Sequence, residues 1–310
     1  MNAIEITGLR KAYPDFELAG LDLCLPGGCI MGLIGENGAG KSTTIRLILD
    51  MIKPDAGSIK LFGRPNSERA LKEDIGVVLD EVGFPDCLTA AQANKVLRKA
   101  YKNWDEDAFF GYLKKLSIPE SKPFGDFSRG MKMKLGIAAA LSHNSKLLIL
   151  DEATSGLDPV VRDEVVELFS DFTRDEEHSV LISSHIVSDL EKLCDYIAFL
   201  HQGRLMLCEE KDALLAEYCF ARGTAAELDA IDRGSMIGRR DGRYGSEAII
   251  RRAAAPAGLS LSPLSIEELM IMFIARNIAV TVRVLVENFF SFVLISIMPP
   301  FCFARASARG

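Results

Sequence analysis

Apolar residues recur at two spacings along the first two thirds of the chain, and the two spacings predict different elements. Short apolar or alternating runs predict strands at 4–9, 16–25, 29–34, 58–62, 75–79, 147–150, 180–183 and 196–200. Segments with an apolar residue every three or four positions predict helices at 42–51, 89–116, 129–141, 160–172 and 186–194. Because strands alternate with helices, the pattern predicts an α/β fold with a mostly parallel sheet.

A glycine-rich loop joins the predicted strand at 29–34 to the helix at 42–51. Its sequence, Gly35-Glu-Asn-Gly-Ala-Gly-Lys-Ser42, fits the pattern G-x-x-x-x-G-K-[ST] in the required strand–loop–helix context. Backbone N–H groups of such a loop face a polyphosphate. The alternative is an ordinary glycine turn before a helix. We expect a polyphosphate to be bound by Gly35, Asn37, Gly38, Gly40, Lys41, Ser42 and Thr43, with Ser42 also binding Mg²⁺.

Two acids end the apolar strand at 147–150. Asp151 is placed to help hold Mg²⁺ beside a phosphate loop. Glu152, one residue further on, can accept a proton from an attacking water. An acid pair alone is more often a solvated strand end, but beside the phosphate loop it indicates hydrolysis of a nucleoside triphosphate.

Composition narrows the class of protein and its partners. The chain has 310 residues, of which 48% are apolar and 25% charged, so a globular protein is expected. The net charge is −7 and no dense run of Lys and Arg occurs, which argues against a nucleic-acid partner. Seven cysteines without a CxxC pair predict free, mostly buried thiols in a reducing compartment. The first ten residues lack the features of a signal peptide, so a cytoplasmic chain is expected.

Three further motifs lie in a fixed order around the two acids. Phe127-Ser-Arg-Gly-Met131 precedes the acidic strand, Ser155-Gly-Leu-Asp158 follows it, and His185 comes after the next strand. Alone, these read as a helix start capped by serine, a turn and a structural histidine. Taken together with the phosphate loop, the set resembles the ATP-binding subunit of an ATP-binding cassette (ABC) transporter over about residues 2–210.

The resemblance implies roles for the residues of these motifs. Ser128, Arg129 and Gly130 belong to the signature sequence, which acts on the γ-phosphate of ATP held by the opposite subunit. Asp158 lies in the loop that contacts the dimer partner, and His185 contacts the γ-phosphate and the catalytic water, which Glu152 activates.

The same resemblance implies the architecture. We expect a P-loop NTPase core of mostly parallel sheet, with an antiparallel β part and an inserted helical subdomain at about 84–142. Tyr13 resembles the aromatic residue that stacks on adenine, with plain packing of its ring as the alternative.

Two positions depart from the pattern of the family. The usual Leu-Ser-Gly-Gly-Gln signature is Phe-Ser-Arg-Gly-Met here, but the serine and the second glycine remain, so activity is expected to survive. The glutamine loop is expected after the strand at 75–79, where this chain has Asp80-Glu81. An aspartate can ligate Mg²⁺, so Asp80 joins Ser42 and Asp151 as a candidate metal ligand, with a shorter reach than glutamine.

One phosphate loop and one signature in the chain predict a dimer. The composite site of the family takes each from a different subunit, so two ATP, with Mg²⁺, would lie head to tail between this chain and a second copy or a paralogous ATPase. The resemblance implies a separately encoded integral-membrane permease, which contacts the transported substrate, as in two-gene bacterial exporters. The chain would then be cytoplasmic and peripheral on the inner face of the cell membrane. A soluble regulatory or non-transport ABC ATPase is the alternative.

The composition changes near Lys211, which divides the chain. We expect a nucleotide-binding domain at 1–211, an accessory unit at 212–276 and an apolar tail at 277–310. The tail could dock on the permease, lie in the bilayer interface, pack on the accessory unit or be disordered.

Two local features of the accessory unit are predicted. The arginine-rich segment at 239–243 is expected to be a solvated loop. Ser265, with Glu268 three residues later, is expected to cap a short helix at 265–275.

Overall fold

The computed structural model describes residues 1–154, 156–243, 245–256, 258–272 and 274. The chain forms two compact units, Met1–Leu214 and a second unit that begins at Leu215. The tail at 277–310, for which the sequence left several roles open, lies outside the described residues.

The first unit alternates strands and helices along its length. In chain order it contains β1 (Asn2–Tyr13), β2 (Phe16–Pro26), β3 (Ile30–Ile34), α1 (Lys41–Ile48), β4 (Ala56–Leu61), β5 (Arg64–Pro65), β6 (Ile75–Val78), α2 (Ala90–Ala100), α3 (Glu106–Lys115), α4 (Arg129–Leu141), β7 (Leu147–Asp151), α5 (Pro159–Phe172), β8 (Ser179–Ser184), α6 (Val187–Leu193), β9 (Tyr196–His201), β10 (Arg204–Glu210) and α7 (Lys211–Glu217), which crosses the boundary.

The central sheet has the strand order β10–β9–β3–β8–β7–β6. Its pairs are parallel except for β9 with β10, which is antiparallel. Every residue of β3, β7 and β8 is buried, as expected for strands covered on both faces. The carboxyl ends of these strands therefore lie at one edge, where α/β proteins bind ligands. The sequence analysis missed β10, whose side chains are only partly buried or exposed.

A second, antiparallel sheet has the order β2–β1–β4–β5. The main core lies between apolar residues of this sheet and those of the central sheet. Ile45, Leu47 and Ile48 of α1 belong to this core and are completely buried. The helix that follows the phosphate loop is therefore fixed by apolar contacts on both sides.

The predicted single helix at 89–116 is wrong in the structure, where α2 and α3 take its place. Thr89 caps α2 and Asp105 caps α3, each accepting a backbone N–H bond three residues on. Between them, Trp104 Nε1 donates to Asn94 Oδ1 at 2.8 Å, which satisfies a buried amide. The side-chain periodicity continues through this break, whereas the Asp105 cap starts a new helix after it.

The second unit contains an antiparallel sheet that the sequence analysis did not predict. Its elements are β11 (Tyr218–Gly223), α8 (Ala225–Asp229), β12 (Met236–Gly242), β13 (Gly245–Arg251) and β14 (Ser260–Ser262), with strand order β12–β13–β11–β14. The predicted loop at 239–243 is wrong, because Arg239 and Arg240 lie on β12. They form ion pairs with Asp229, Asp241 and Glu247. Residues 266–272 are helical, and the predicted cap forms, since the Ser265 and Glu268 side chains exchange bonds with each other's backbone N–H.

Cysteine burial differs from the sequence expectation. The described cysteines are free, as predicted, but only Cys194 and Cys219 among them are buried, and Cys24 and Cys87 are exposed. Burial raises the pKa of the Cys194 thiol well above its ordinary value. Within the described residues, no helix combines the length and the apolar character needed to cross a bilayer.

Candidate active site

The predicted phosphate loop lies between β3 and α1, at the carboxyl edge of the central sheet. Gly40 precedes α1 and Lys41 is the first helical residue. The unpaired N–H groups of the helix N-terminus therefore face a cleft of about 540 Å³. Of the predicted phosphate-binding residues, those lining this cleft are Asn37, Gly38, Gly40, Lys41, Ser42 and Thr43.

Two glycines of the loop have physical reasons to be glycine. Gly40 has φ of 110°, and a Cβ there would lie 2.9 Å from Cζ of Phe16. A Cβ on Gly35 would lie 2.5 Å from the carbonyl oxygen of Leu200. Any side chain at either position would therefore push the loop away from β2 or β9 and displace the start of α1.

The Lys41 ammonium lies at the centre of the loop and is only 6% exposed. Nζ donates to the carbonyl oxygens of Gly35 at 2.8 Å and Glu36 at 3.4 Å. It also lies 3.3 Å from Oε1 of Glu152. A buried ammonium needs oxygen partners of this kind. The oxygens of a bound phosphate could replace them.

Glu152 is held in a strained conformation directly after β7. Its φ is 53°, a left-handed value that costs about 1–3 kcal/mol for a residue other than glycine. Its backbone N–H donates to both the carbonyl and the hydroxyl oxygen of Ser183, each at 3.1 Å. Its second carboxylate oxygen, Oε2, lies 2.7 Å from Nδ1 of His185. Because an ionised carboxylate only accepts, Nδ1 is the protonated nitrogen. The structure therefore brings Lys41, Glu152 and His185 together.

Ser183 positions both acids, although the sequence analysis gave it no role. Asp151 is buried, and its Oδ1 accepts a bond from the Ser183 hydroxyl at 2.5 Å. The contact follows from strand register, since Asp151 on β7 pairs with Ser183 on β8. The sequence did contain a signal for this role. Ser183 is a polar residue at the end of an apolar strand, and neighbouring parallel strands place their carboxyl ends at the same edge of the sheet.

Asp80 and Arg129 form an ion pair at the same cleft. Nη2 of Arg129 lies 2.5 Å from Oδ1 of Asp80, and both residues line the cleft with Glu152 and His185. Asp80 follows β6, and Arg129 is the first residue of α4. The signature arginine, for which a role in the opposite subunit was expected, thus contacts the cleft of its own chain.

Ser128, Gly130 and Asp158 are among the predicted residues that do not line this cleft, and each lies at the start of a helix. Ser128 caps α4 by accepting from Met131 N–H at 3.3 Å, and Asp158 caps α5 by accepting from Val161 N–H at 3.1 Å. A Cβ on Gly130 would meet the side chain of Leu157 at 3.4 Å. Asp158 thus caps the helix after β7, and Ser128 and Gly130 lie at the start of α4 without lining the phosphate-loop cleft.

Aromatic and acidic residues near the loop were missed or only partly anticipated. Phe16 lines the cleft, as do Asp15 and Glu36. Tyr13 is exposed, with its ring centroid 6.4 Å from that of Phe16. Tyr13 does not line the cleft, but it pairs with Phe16 across the β1–β2 turn, and this pairing was the signal for an aromatic residue there.

The donor set fits Mg²⁺ bound together with a nucleotide. Among the described residues, no group of three or more His, Cys, Asp or Glu forms a closed metal site. In nucleotide sites, Mg²⁺ is usually held by one or two protein oxygens and by phosphate oxygens. The Ser42 hydroxyl at the cleft and the Asp151 carboxylate at the end of β7 are oxygen ligands of that kind.

Curated relatives are similar in sequence to this chain over about two thirds of its length. The family described as ABC transporter matches residues 18–155. The bacitracin transport ATP-binding protein BcrA of Bacillus licheniformis is 36% identical over 208 residues, which cover 66% of this chain and 68% of that protein. The lantibiotic transport ATP-binding protein SrtF of Streptococcus pyogenes is 36% identical over 212 residues, covering 67% of this chain and 91% of that protein.

The fold is shared with a solved structure. The structure of cbiO1 from Clostridium perfringens, described as part of the ABC transporter complex cbiONQ, matches with a TM-score of 0.59 and 26% identity. The match covers 70% of this chain and 91% of that chain. The predicted α/β P-loop fold is thereby confirmed. From the cleft geometry and these relatives, the chain belongs to the family of ATP-binding, ATP-hydrolysing subunits of ABC transporters.

Proposed function

We propose that this chain is the motor of a two-component exporter. In this proposal, it binds Mg-ATP in the phosphate-loop cleft, closes against a second copy of itself or a paralogous ATPase, and drives a separately encoded permease. The observation that carries the proposal is the convergence of Lys41, Glu152 and His185 at the N-terminus of α1.

Binding depends on the phosphate loop and its lysine. The N-terminal N–H groups of α1 and the Lys41 ammonium would neutralise the β- and γ-phosphates. Lys41 would exchange its contact with Glu152 for phosphate oxygens. Ser42 and Asp151 would hold Mg²⁺, which stabilises developing charge on the phosphates. Tyr13, exposed beside Phe16, would stack on the adenine ring.

Hydrolysis depends on the carboxylate of Glu152. Once Lys41 turns to the phosphates, Glu152 is free to accept a proton from the attacking water. His185 would fix the orientation of this carboxylate through its Nδ1 bond and contact the γ-phosphate. The backbone bonds of Glu152 to Ser183 keep the acid in place through this exchange.

The remaining motif residues would act across a dimer. Ser128 and Gly130 lie at the start of α4 and do not line the phosphate-loop cleft of their own chain. We infer that they contact the γ-phosphate of ATP bound by the opposite subunit, with Asp158 at the same interface. Closing and opening of this dimer would move the permease, which would hold the chain at the inner face of the cell membrane.

The relatives indicate the class of substrate. BcrA and SrtF are named for bacitracin and lantibiotic transport. We propose export of a peptide antibiotic or a molecule of similar kind, contacted by the permease rather than by this chain.

Peptide resistance of a sensitive bacterium tests the exporter proposal. The chain would be expressed together with a candidate permease from the same genome, and growth would be followed in bacitracin and in a lantibiotic. We expect resistance with the wild type and none with Lys41→Ala, because the variant cannot hold the triphosphate. Equal resistance with the wild type and Lys41→Ala would contradict the exporter assignment. Wild-type protein that gives no resistance to either peptide would also contradict it.

A further inference from the structure

Arg129 reaches from the start of α4 into the cleft that binds phosphate. Its Nη2 lies 2.5 Å from Oδ1 of Asp80, and both side chains line the same cleft as Lys41. The side chain crosses the loop after β7, since a Cβ on Gly156 would lie 3.5 Å from Cδ and 3.6 Å from Nε of Arg129. These are ordinary van der Waals distances, so the Arg129 side chain passes directly beside Gly156.

The pair has the same form as the contact between Lys41 and Glu152. Each joins a cation of the cleft to a carboxylate on the loop after a neighbouring strand, β6 for Asp80 and β7 for Glu152. Lys41 and Glu152 are mostly buried, whereas Arg129 and Asp80 are 59% and 50% exposed. Water and salt weaken an exposed pair, so Arg129 is the cation more easily exchanged.

A triphosphate is a stronger partner for Arg129 than one carboxylate. A planar guanidinium forms paired, charge-assisted bonds to phosphate oxygens. ATP carries one phosphate and about one charge more than ADP, and this additional group would extend beyond the helix N-terminus into the cleft that Arg129 lines. An arginine at this position therefore favours ATP over ADP.

We propose that Arg129 senses the terminal phosphate in the cleft of its own subunit, and that Asp80 holds this arginine until ATP binds. The inference rests on the proposed phosphate-binding role of the cleft. It places Arg129 apart from its neighbours Ser128 and Gly130, because Arg129 acts within one chain and they act across the dimer. Asp80 is then a positioning residue for Arg129, in the place where the family has a glutamine.

Equilibrium binding of fluorescent ATP and ADP analogues tests the proposal. Binding is measured to the full chain with EDTA present, so that no hydrolysis occurs, and sizing verifies that the protein is monomeric. We expect Arg129→Gln to bind ATP about fivefold more weakly and ADP within about twofold of the wild type. Asp80→Asn should bind ATP about threefold more tightly, because it frees the guanidinium. The double variant should behave like Arg129→Gln.

Glu81→Gln is the matched control, because it removes the same charge one residue away from Asp80. Glu81 does not line the phosphate-loop cleft. The ATP affinity of Glu81→Gln should therefore stay within about twofold of the wild type. Arg129→Lys, which keeps the charge without the fork, should retain part of the preference for ATP. The unfolding temperature of every variant is measured to verify the fold.

The outcomes separate this inference from the proposed function. The inference alone is overturned if the ratio of ATP affinity to ADP affinity is unchanged in monomeric Arg129→Gln. An equal gain of ATP affinity in Asp80→Asn and Glu81→Gln also overturns it. Failure of the wild type to bind ATP overturns the proposed function and the inference with it.

Discussion

The acids at the phosphate-loop cleft are each held by a specific neighbour. The Ser183 hydroxyl donates a hydrogen bond to the carboxylate of Asp151 and accepts one from the backbone N–H of Glu152. Nδ1 of His185 donates to the carboxylate of Glu152. Lys41 completes this arrangement. At the scale of single residues, the cleft is therefore a set of charges already placed for a phosphate ligand.

Lys41→Ala is expected to weaken ATP binding by about 10- to 100-fold, which corresponds to the loss of about 1.5–3 kcal/mol typical of a hydrogen bond to a charged group. Isothermal titration with Mg-ATP measures it. Lys53→Ala, which removes an exposed ammonium paired with Asp50, is the control and should bind ATP within about twofold of the wild type. Equal losses in both variants would contradict the phosphate role of Lys41.

Ser183→Ala is expected to reduce the rate of ATP hydrolysis more than ATP binding. The substitution removes the hydroxyl that accepts a bond from the Glu152 N–H and donates one to the Asp151 carboxylate. Its free energy of unfolding should fall by about 1–3 kcal/mol. Ser145→Ala removes another buried hydroxyl, which donates to the Ala140 carbonyl five residues earlier, and serves as the control. A similar stability loss with normal hydrolysis is expected for Ser145→Ala, and a normal rate in Ser183→Ala would refute the positioning role.

The sequence predicted site residues where a local motif defines them. Lys41 and Glu152 lie in such motifs, and the structure places them in contact. Ser183 and the pairing of Asp80 with Arg129 could not be predicted, since each depends on which strands and loops become neighbours in the fold. Motif spacing carries no information on these tertiary contacts.

At the scale of elements, continuous apolar strands were predicted well and polar ones were not. The buried strands β3, β7 and β8 match their predicted ranges within two residues. The strands β12 and β13 were missed because arginine and glycine interrupt their alternation. In the fold, the Glu247 carboxylate of β13 pairs with Arg240 of β12. The break between α2 and α3 was missed because a cap, not a change of period, creates it.

Asp105→Ala tests the cap that separates α2 from α3. The Asp105 carboxylate accepts a bond from Ala108 N–H at 2.8 Å. Its loss should lower the free energy of unfolding by about 1 kcal/mol, measured in urea. Asp107→Ala, at an exposed position in the first turn of α3, should cost less than about half as much. An equal cost at both positions would show that the cap contributes nothing beyond the helix dipole.

His143 gives the fold a predicted pH dependence. It is buried, stacked on Tyr101 at 4.1 Å, and its Nδ1 donates to the Glu73 carbonyl. Burial lowers the pKa of His143 below its ordinary value. The unfolded chain therefore takes up this proton first, so the stability present above about pH 6.5 is lost as the pH falls below it.

Thermal unfolding between pH 7.5 and 5.5 measures this effect. The unfolding temperature of the wild type should fall over this range by more than that of His143→Phe, which keeps a ring on Tyr101 and does not titrate. Parallel decreases in the two proteins would assign the pH dependence to other groups.

At the scale of the whole molecule, only some residues of the expected site line the phosphate-loop cleft of one chain. Lys41 and Glu152 lie at the phosphate-loop cleft, and Ser128 and Gly130 lie at the start of α4 and do not line it. The sequence predicted this separation only through the resemblance to ABC subunits. Two copies joined head to tail would complete both sites, so binding, dimerisation and hydrolysis should be coupled.

ATP hydrolysis by the wild type and by Glu152→Gln, with the oligomeric state followed by sizing in saturating Mg-ATP, tests this account most directly. The account predicts that the wild type hydrolyses ATP, and that Glu152→Gln loses at least about 100-fold in rate while remaining a dimer with ATP bound. A Glu152→Gln variant that hydrolyses ATP at the wild-type rate, or that binds ATP and stays monomeric, would contradict it.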